Sequence, residues 1–386
     1  MSTTTELHAE LRQGVRDLCS RFPDAYWREL DARRAYPDEF VKALTGAGYL
    51  AALIPEAYGG SGLGISEAAV IFEEVNRSGG NAGACHAQMY IMGTLLRHGS
   101  ERQKREYLPR IASGELRLQA FGVSEPTTGS DTTQITTTAV RRGDRYVVNG
   151  QKVWISRAEH SDLMLLLVRT TPAAEVAKKT DGLSALLVDL RHSSGRGLTI
   201  RPIRTMMNHA TTEMFFDGFE VPAENLIGEE GQGFRYLLDG LNAERILIAA
   251  ECVGDARWLL DRACRYARER VVFGRPIGQN QGIQFPIARA YVNTEAADLM
   301  RIKAASLFDS ARPCGAEANM AKLLAADASC EAADVAVQTY GGFGFAEDYD
   351  IERKFRETRL YQVAPISTNL ILAFIGEKVL RLPRSY

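Results

Sequence analysis

The sequence predicts a multidomain α+β protein in which a helical region, a strand-rich region and a second helical region follow one another. Apolar residues recur at helical spacing up to about residue 118, occur in short runs between turns from 119 to 225, and return to helical spacing from 226 onward. We therefore expect an N-terminal helical domain over 1–118, a middle antiparallel β-barrel or sandwich domain over 119–225, and a C-terminal helical bundle domain over 226–386.

The two helical regions are expected to contain long, separate helices. In the N-terminal region the predicted helices span 4–22, 38–47, 65–77, 82–98 and 101–111, with a glycine-rich turn at 54–64. In the C-terminal region they span 234–270, 281–309, 315–340 and 368–380. Pro286 lies inside the second of these and predicts a kink or a later helix start, because proline has no backbone N–H.

The middle region is expected to form short strands joined by tight turns. Predicted strands span 136–140, 146–148, 152–156, 163–168, 183–190 and 214–216. Asn149-Gly150 predicts a tight turn between the second and third of them, since this dipeptide favours hairpin connections.

Composition narrows the class of protein. The chain of 386 residues is 45% hydrophobic and carries a formal net charge of −2, which suits a globular protein and gives no electrostatic reason to expect nucleic acid or an acidic membrane surface. The start, MSTTTELHAELRQ, has no apolar core and no run approaches the ~20 apolar residues of a membrane span, so we expect a cytoplasmic protein. The six cysteines form no CxxC motif and the histidines show no ligand spacing, so we expect reduced thiols and no metal site.

Glu244 is the charged residue that the predicted helix 234–270 does not easily explain. It shares a face with apolar residues, and the positions three and four residues away hold Gly240, Leu241, Leu247 and Ile248 rather than a cation. Burying a carboxylate is costly and raises its pKa. The pattern fits either a core carboxylate held by a group from another helix or a catalytic base.

Two loops of the middle region carry an unusual set of side chains. Residues 121–131 read FGVSEPTTGSD and residues 150–156 read GQKVWIS. In either loop alone, the prolines, glycines and hydroxyls are explained by turn formation. Together they supply hydroxyls, backbone amides and the flat ring of Trp154, which suits a planar heterocycle and a phosphate.

These segments resemble the acyl-CoA dehydrogenase family, and the resemblance runs over nearly the whole chain. It rests on IPEAYGGSGLG at 54–64, SEPTTGSD at 124–131, GQKVWIS at 150–156, RERVVFGRPIGQNQGIQF at 268–285 and QTYGGFGF at 338–345, which follow the family's order and approximate spacing. The implied fold is an N-terminal helical domain, a middle β domain and a C-terminal four-helix bundle. The implied assembly is a homotetramer, a dimer of dimers, with FAD bound at subunit interfaces.

The resemblance also implies which residues bind FAD. In the middle region they surround the flavin ring and the pyrophosphate, and in the C-terminal region they reach the FAD of the neighbouring subunit, the adenosine or the flavin side. By position these residues are Phe121, Val123, Ser124, Gly129, Ser130, Trp154, Ser156, Arg270, Phe273, Gln281, Gln338, Gly342, Ser367 and Asn369. An arginine suits this role because its planar fork binds a diphosphate through two contacts.

The family's reaction needs a base for the α-proton of the thioester, and here the sequence departs from the common pattern. Many members carry the base as a glutamate in a Tyr-Glu-Gly-Thr loop, which corresponds to YQVAPISTN at 361–369. Pro365 occupies the glutamate position and Ile366 that of the following glycine. Proline neither accepts a proton nor donates an N–H, so a donor that polarises the thioester carbonyl is missing or comes from a neighbour.

A minority branch of the family, resembling isovaleryl-CoA and long-chain acyl-CoA dehydrogenases, places the glutamate on another helix directly before an arginine. Glu244 and Arg245 match that arrangement. The resemblance therefore implies that Glu244 is the base, that Arg245 helps to hold the substrate and that Asn242 contacts CoA. Ser130 is a further candidate substrate contact by position.

The acyl pocket is expected to lie between helices of the N-terminal domain and the predicted helix that carries Glu244. Cys85, His86, Gln88, Met89 and Met92 are the candidates, and each of them would also suit plain core packing. The implied activity is α,β-dehydrogenation of an acyl-CoA, with electrons passed to an electron-transfer flavoprotein. An acyl-carrier-protein dehydrogenase, an acyl-CoA oxidase, a desulfinase and a non-catalytic flavin- or nucleic-acid-binding relative remain open alternatives.

Overall fold

A computed structural model describes residues 8–191, 193 and 195–384. The chain divides into two compact units, each built from separate stretches of sequence. We call Met1–Ala35, Gly64–Ala82 and Asn242–Tyr386 the helical unit, and Tyr36–Leu63 and Gly83–Leu241 the sheet unit. The boundaries expected at 118/119 and 225/226 stay predictions.

The described helices follow the helical periodicity of the sequence. Three of them, α4, α8 and α9, have the predicted bounds, whereas α2 lies in a stretch where no helix is expected. The predicted helix 4–22 begins at Ala9, and its first residues lie outside the described part of the chain. The helices are α1 (Ala9–Cys19), α2 (Asp24–Arg33), α3 (Asp38–Gly46), α4 (Ile65–Arg77), α5 (Ala87–His98), α6 (Glu101–Ala112), α7 (Gly233–Glu269), α8 (Gln281–Asp309), α9 (Gly315–Tyr340), α10 (Ile351–Arg359) and α11 (Thr368–Phe374).

The sheet unit contains a mostly antiparallel sheet with the strand order β6-β7-β3-β2-β4-β5-β8. The exceptions are β1 and β2, which pair in parallel with β4. The strands of this sheet are β1 (Leu118–Gly122), β2 (Thr138–Arg142), β3 (Arg145–Ser156), β4 (Leu163–Arg169), β5 (Leu183–Asp189), β6 (Leu198–Pro202), β7 (Thr211–Pro222) and β8 (Leu226–Ile227). A short hairpin of β9 (Val271–Val272) and β10 (Arg275–Pro276) lies in the helical unit.

The tight turn expected at Asn149-Gly150 is wrong. Strand β3 runs without interruption from Arg145 to Ser156 and pairs with β7, with a register shift between Val148 and Gly150. The glycine is needed there for a different reason: its φ is 145°, and an added Cβ would lie 2.6 Å from Thr137 Cα. A side chain at this position would therefore collide with the neighbouring backbone.

Both units have their own apolar core. In the sheet unit, Tyr146, Met164, Leu166 and Phe216 belong to one cluster. In the helical unit, an alanine-rich face of α9 packs against α7 and α8. Helix α8 begins at Gln281, before Pro286, so a later start is wrong. No helix of the described residues is long and apolar enough to cross a membrane.

Candidate active site

The loop 121–131 and strand β3, which carry the two unusual sequence segments, lie side by side in the sheet unit. Val153 N donates to Ser124 O at 3.0 Å, and Lys152 Nζ donates to Val123 O at 2.9 Å. Lys152 Nζ also lies 2.9 Å from Glu125 Oε1. These bonds bring FGVSEPTTGSD and GQKVWIS together and fix the path of the loop.

Glu125 is the hydrogen-bonding centre of this loop. Its carboxylate accepts bonds from Thr136 N at 2.7 Å, Thr136 Oγ1 at 2.8 Å and Thr137 N at 2.9 Å. Burial alone would raise the pKa of Glu125, but Lys152 and these donors outweigh burial and lower that pKa to about 2. Burial lowers the pKa of Lys152 to about 8, against the attraction of Glu125. Both groups are therefore charged at neutral pH.

Trp154 is turned out of the sheet by its backbone. Its φ of 62° is in the left-handed region, which is rare for a bulky residue, and β3 shifts register against β7 between Lys152 and Ile155. The indole is 61% exposed, while Ser156 at the strand end is half-buried. This bulge presents a flat aromatic face and a hydroxyl from one short segment. In the loop 121–131, which is hydrogen-bonded to β3, Phe121, Val123 and Ser124 are half-buried. Gly129 and Ser130, in the same loop, are exposed.

A second candidate region lies in the helical unit. Arg270, Gln338 and Gly342 line one cavity of about 640 Å³, together with Tyr266 and Phe343. The Arg270 guanidinium lies 5.8 Å from the centre of the Phe343 ring. The structure thus brings together three of the predicted cofactor residues.

Two other predicted residues flank this region without lining the cavity. Phe273 is 99% exposed, with a φ of 52° in the β9–β10 hairpin, and Gln281 is the exposed first residue of α8. An aromatic ring exposed to this degree suits a contact with another molecule.

Glu244 is buried on α7, with 4% of its surface exposed. Its neighbour Arg245 donates from Nη1 to Asn242 Oδ1 at 3.0 Å, and Arg245 Nε has no hydrogen-bond partner among the described residues. Burial lowers the pKa of Arg245, against the attraction of Glu244 and Cys314. A carboxylate, an amide and a guanidinium with an open donor therefore lie within one turn of the helix.

The segment 361–369 is held by bonds that the sequence did not predict. Lys322, 1% exposed on α9, donates from Nζ to Ile366 O at 2.7 Å. Ser367 caps α11, with its Oγ accepting from Leu370 N at 3.4 Å, and Asn369 is exposed in the first turn. Burial lowers the pKa of Lys322, and Glu244 is one of the groups that oppose this.

The candidates for the acyl pocket are buried in the sheet unit. Met89 is fully buried at the start of α5, and Gln88 is 2% exposed and donates to Leu50 O at 3.3 Å. Gln88 therefore holds a backbone carbonyl. Among the described residues, no group of three or more His, Cys, Asp or Glu side chains is arranged to hold a metal ion.

Comparison with known protein families gives matches to three consecutive domains along the chain. The family models of the N-terminal, middle and C-terminal domains of acyl-CoA dehydrogenase match residues 5–115, 120–219 and 231–380, respectively. The chain belongs to the acyl-CoA dehydrogenase family.

Other acyl-CoA dehydrogenases resemble it along their full length. The chain is 36% identical to the acyl-CoA dehydrogenase fadE12 of Mycobacterium bovis, covering 100% of both proteins. It is 35% identical to a glutaryl-CoA dehydrogenase of Desulfococcus multivorans, covering 96% of this chain and 94% of that one. A solved glutaryl-CoA dehydrogenase complex with glutaryl-CoA superposes with a TM-score of 0.91 at 31% identity, covering 100% of this chain and 97% of the other.

Several residues in the separate candidate regions of this acyl-CoA dehydrogenase are not predicted from the sequence. Lys322 lies on the alanine-rich face formed by Ala318, Ala321 and Ala325, and a charge on such a face is the signal that would have found it. Lys152 and Glu125 lie inside the two motifs, but their pairing joins segments 27 residues apart and has no local sequence signal.

Proposed function

We propose that the protein is an FAD-dependent dehydrogenase that converts an acyl-CoA thioester into the trans-2-enoyl-CoA, with Glu244 as the base. The observation that carries this proposal is the buried carboxylate of Glu244 next to Arg245, in a chain that has Pro365 where the family's usual glutamate lies. Membership of a flavin-dependent family supports the reaction type.

The residues present fit FAD in each unit. In the sheet unit, the exposed indole of Trp154 offers a face on which a flat ring can stack, and Ser156 offers a hydroxyl. In the helical unit, Arg270 and Gln338 offer a guanidinium and an amide at one cavity, which suits a diphosphate and an adenosine. When bound, FAD supplies the acceptor of the electron pair that leaves with the β-hydrogen.

The chain's own part in the reaction is to remove and hold a proton. Glu244 as a carboxylate takes the α-proton of the thioester, the Cα–H electrons form the Cα=Cβ double bond, and the β-hydrogen leaves as hydride. A carboxylate in a site with little water suits a weakly acidic α-proton, because its basicity rises when it is desolvated. Glu244 would finish the step as the neutral acid.

Arg245 and Asn242 are proposed to hold the substrate. Their mutual bond at 3.0 Å orients the guanidinium, and its open Nε can donate to the ligand. Pro365 has no N–H for the thioester carbonyl, so polarisation of that carbonyl must come from other donors. The proposal includes an electron-transfer flavoprotein as electron acceptor and a homotetrameric assembly.

The test is anaerobic reduction of the bound flavin by a panel of CoA thioesters that differ in length and branching. Glu244→Gln should keep the flavin absorbance and slow bleaching by about 10²- to 10⁴-fold, because it removes only the base. Asp261→Asn on the exposed face of the same helix is the matched control and should bleach normally. Normal bleaching by Glu244→Gln would refute the assignment of the base.

Two additions to the panel, an acyl-carrier-protein thioester and oxygen admitted after the flavin is reduced, separate the alternative functions. Bleaching by an acyl-carrier-protein thioester and not by any CoA thioester would assign the carrier-protein substrate. Rapid reoxidation by oxygen without the flavoprotein acceptor would assign an oxidase. A purified protein without flavin would refute the proposed function altogether.

A further inference from the structure

Arg157, the residue after Ser156, has a backbone fixed on both sides. Its φ of 61° is in the left-handed region, its N donates to Ala210 O at 2.7 Å, and its carbonyl accepts from His160 N at 3.0 Å. The side chain is 3% exposed. The end of β3 thus directs a guanidinium into the interior of the sheet unit.

The guanidinium of Arg157 keeps two donors open. Its Nη2 lies 3.1 Å from His86 Nε2, while Nε and Nη1 have no hydrogen-bond partner among the described residues. No ion pair joins Arg157 to a carboxylate of the described chain. Because arginine is a cation in proteins, the interior of the sheet unit holds a positive charge at this point.

The other buried arginines of the described chain have their charge or donors satisfied. Arg12 and Arg353 pair with carboxylates, at 2.5 Å from Glu74 and 2.9 Å from Glu357. Arg301 also pairs with a carboxylate, and Arg169 donates to backbone carbonyls. Arg157 is therefore the exception that needs a reason other than packing.

The groups around Arg157 supply no negative charge. Burial, followed by Arg157, lowers the pKa of His86 well below its usual value, so the ring is neutral and accepts the bond from Nη2. Burial lowers the pKa of His209, with Arg157 and His86 adding to the effect, and burial lowers the pKa of His160. Burial raises the pKa of the Tyr36 phenol, which is also neutral. Beyond these neutral groups, Arg117 and Asp38 pair with each other at 2.8 Å, so neither of them supplies Arg157 with a counter-charge of its own.

We propose that Arg157 and His86 form a binding site for an acceptor oxygen, a carboxylate or a strongly polarised carbonyl, on a molecule held by this enzyme. A buried cation without a counter-charge is costly, and a ligand oxygen that accepts from Nε or Nη1 removes that cost. The site is built, because a second residue orients the guanidinium and the backbone fixes its origin.

The position of the site names two sources of the oxygen. Arg157 follows the candidate flavin residues Trp154 and Ser156, so a carbonyl of the flavin ring is one source. His86 directly precedes α5, which carries the candidate acyl-pocket residues Gln88 and Met89, so a carboxylate at the end of the acyl group is the other. This inference rests on the proposed function, since both sources are its ligands.

The test compares holoenzyme of the wild type, Arg157→Met, Arg157→Lys and the control Arg142→Met, which lies on the exposed end of β2 in the same sheet. One arm measures the reduction potential and visible spectrum of the flavin without substrate. The other measures the affinities of glutaryl-CoA and pentanoyl-CoA, which have the same number of acyl carbons and differ in a terminal carboxylate.

Either of two results supports the site. If the oxygen belongs to a flavin carbonyl, Arg157→Met makes the reduction potential of the flavin more negative and shifts the flavin spectrum. If it belongs to a substrate carboxylate, Arg157→Met lowers the ratio of glutaryl-CoA affinity to pentanoyl-CoA affinity by about tenfold or more. In both cases Arg157→Lys should fall between wild type and Arg157→Met, because it keeps the charge and loses the fork.

Unchanged potential, spectrum and affinity ratio in a folded Arg157→Met overturn the inference. If Arg157→Met fails to fold, two results together overturn the inference. They are a flavin spectrum of Arg157→Lys equal to that of the wild type, and tighter binding of pentanoyl-CoA than of glutaryl-CoA by the wild type. Failure of the proposed function is distinct: wild-type flavin would then resist bleaching by every thioester, while the potential and the affinity ratio remain measurable.

Discussion

The buried ammonium of Lys322, on α9, donates a hydrogen bond to the carbonyl oxygen of Ile366, in the segment 361–369, at 2.7 Å. Ile366 directly follows Pro365, the residue that the sequence resemblance aligns with a catalytic glutamate. The carbonyl is thereby turned toward the helix and satisfied inside the protein. The bond therefore holds the segment that carries Pro365 against α9.

Lys322→Met should loosen this segment with only a modest loss of global stability. A hydrogen bond from a charged donor contributes about 1.5–3 kcal/mol to stability. Because burying the ammonium is itself costly, its removal offsets part of this loss. We expect the free energy of unfolding in urea to fall by less than about 2 kcal/mol. Amide exchange at Ser367 to Leu370 should accelerate by about tenfold or more, measured by mass spectrometry.

Lys303→Met is the matched control, because Lys303 is exposed on α8. It should leave exchange in the segment unchanged. Equal exchange rates in Lys322→Met and Lys303→Met would show that the bond to Ile366 does not hold the segment.

Glu125→Gln should make the free energy of unfolding less dependent on pH in the acid range. The pKa of Glu125 is lowered from 4.5 to about 2, so the folded state binds fewer protons than the unfolded state between these values. The stabilisation from Glu125 is complete above about pH 4.5 and is lost as the pH falls through about 2. The wild type should therefore lose its stability advantage over the variant in that window.

The measurement is urea unfolding at a series of pH values from 7 to 2.5. Glu175→Gln, in an exposed loop of the same unit, should run parallel to the wild type. A constant difference between wild type and Glu125→Gln across the acid range would contradict the role of the Lys152 pair.

Local patterns predicted the elements well where one physical cause dominated. Helices α4, α8 and α9 follow from apolar periodicity. Ser367 is predicted only as a cofactor residue, and in the structure it caps α11. The prediction of a turn at Asn149-Gly150 is wrong, because Gly150 is required by the close approach of Thr137 and not by a turn. Thr137 directly precedes β2. That distance between chain segments has no trace in the local sequence.

The candidate functional residues of the two units show the same difference between local and long-range causes. Glu244 was found because a charge on an apolar helix face is a local anomaly, and its burial is confirmed. Arg157 and Lys322 were missed, since each is defined by what it contacts 71 or 44 residues away. Sequence reasoning therefore found the candidate base, which is a local anomaly, and missed groups that only long-range contacts define.

Arg270→Met should weaken FAD binding if Arg270 binds the cofactor diphosphate. One charge-assisted hydrogen bond contributes about 1.5–3 kcal/mol, which corresponds to about a 10- to 150-fold higher dissociation constant. Release of FAD on dilution, followed by flavin fluorescence, measures this.

The control for Arg270→Met is Arg265→Met, five residues earlier and exposed on α7. It makes the same change in net charge and should keep its FAD. Equal FAD retention by the two variants would remove Arg270 from the list of cofactor residues.

Tyr361→Phe should destabilise the helical unit, because Tyr361 attaches the start of the segment 361–369 to α7. The buried Tyr361 hydroxyl donates to Glu251 Oε2 at 3.0 Å and accepts from Asn76 Nδ2 at 3.3 Å, and burial raises its pKa, so it remains a donor at working pH. Removing it deprives a buried carboxylate of one donor, at a cost of about 1–3 kcal/mol. Urea unfolding should show this loss, whereas Tyr291→Phe on an exposed position should stay within about 0.5 kcal/mol of wild type.

The functional consequence of Tyr361→Phe follows from where Glu251 lies. It is seven residues, about two turns, beyond Glu244 on α7, so the bond from Tyr361 ties the start of the 361–369 segment to the helix that carries the proposed base. We expect flavin bleaching by the best acyl-CoA to slow while FAD is retained. In a double-mutant cycle, Tyr361→Phe and Glu251→Gln should show a coupling energy of about 0.5–3 kcal/mol, as residues in direct contact do. Strict additivity of the two changes would mean that the segment and the helix are held by other contacts.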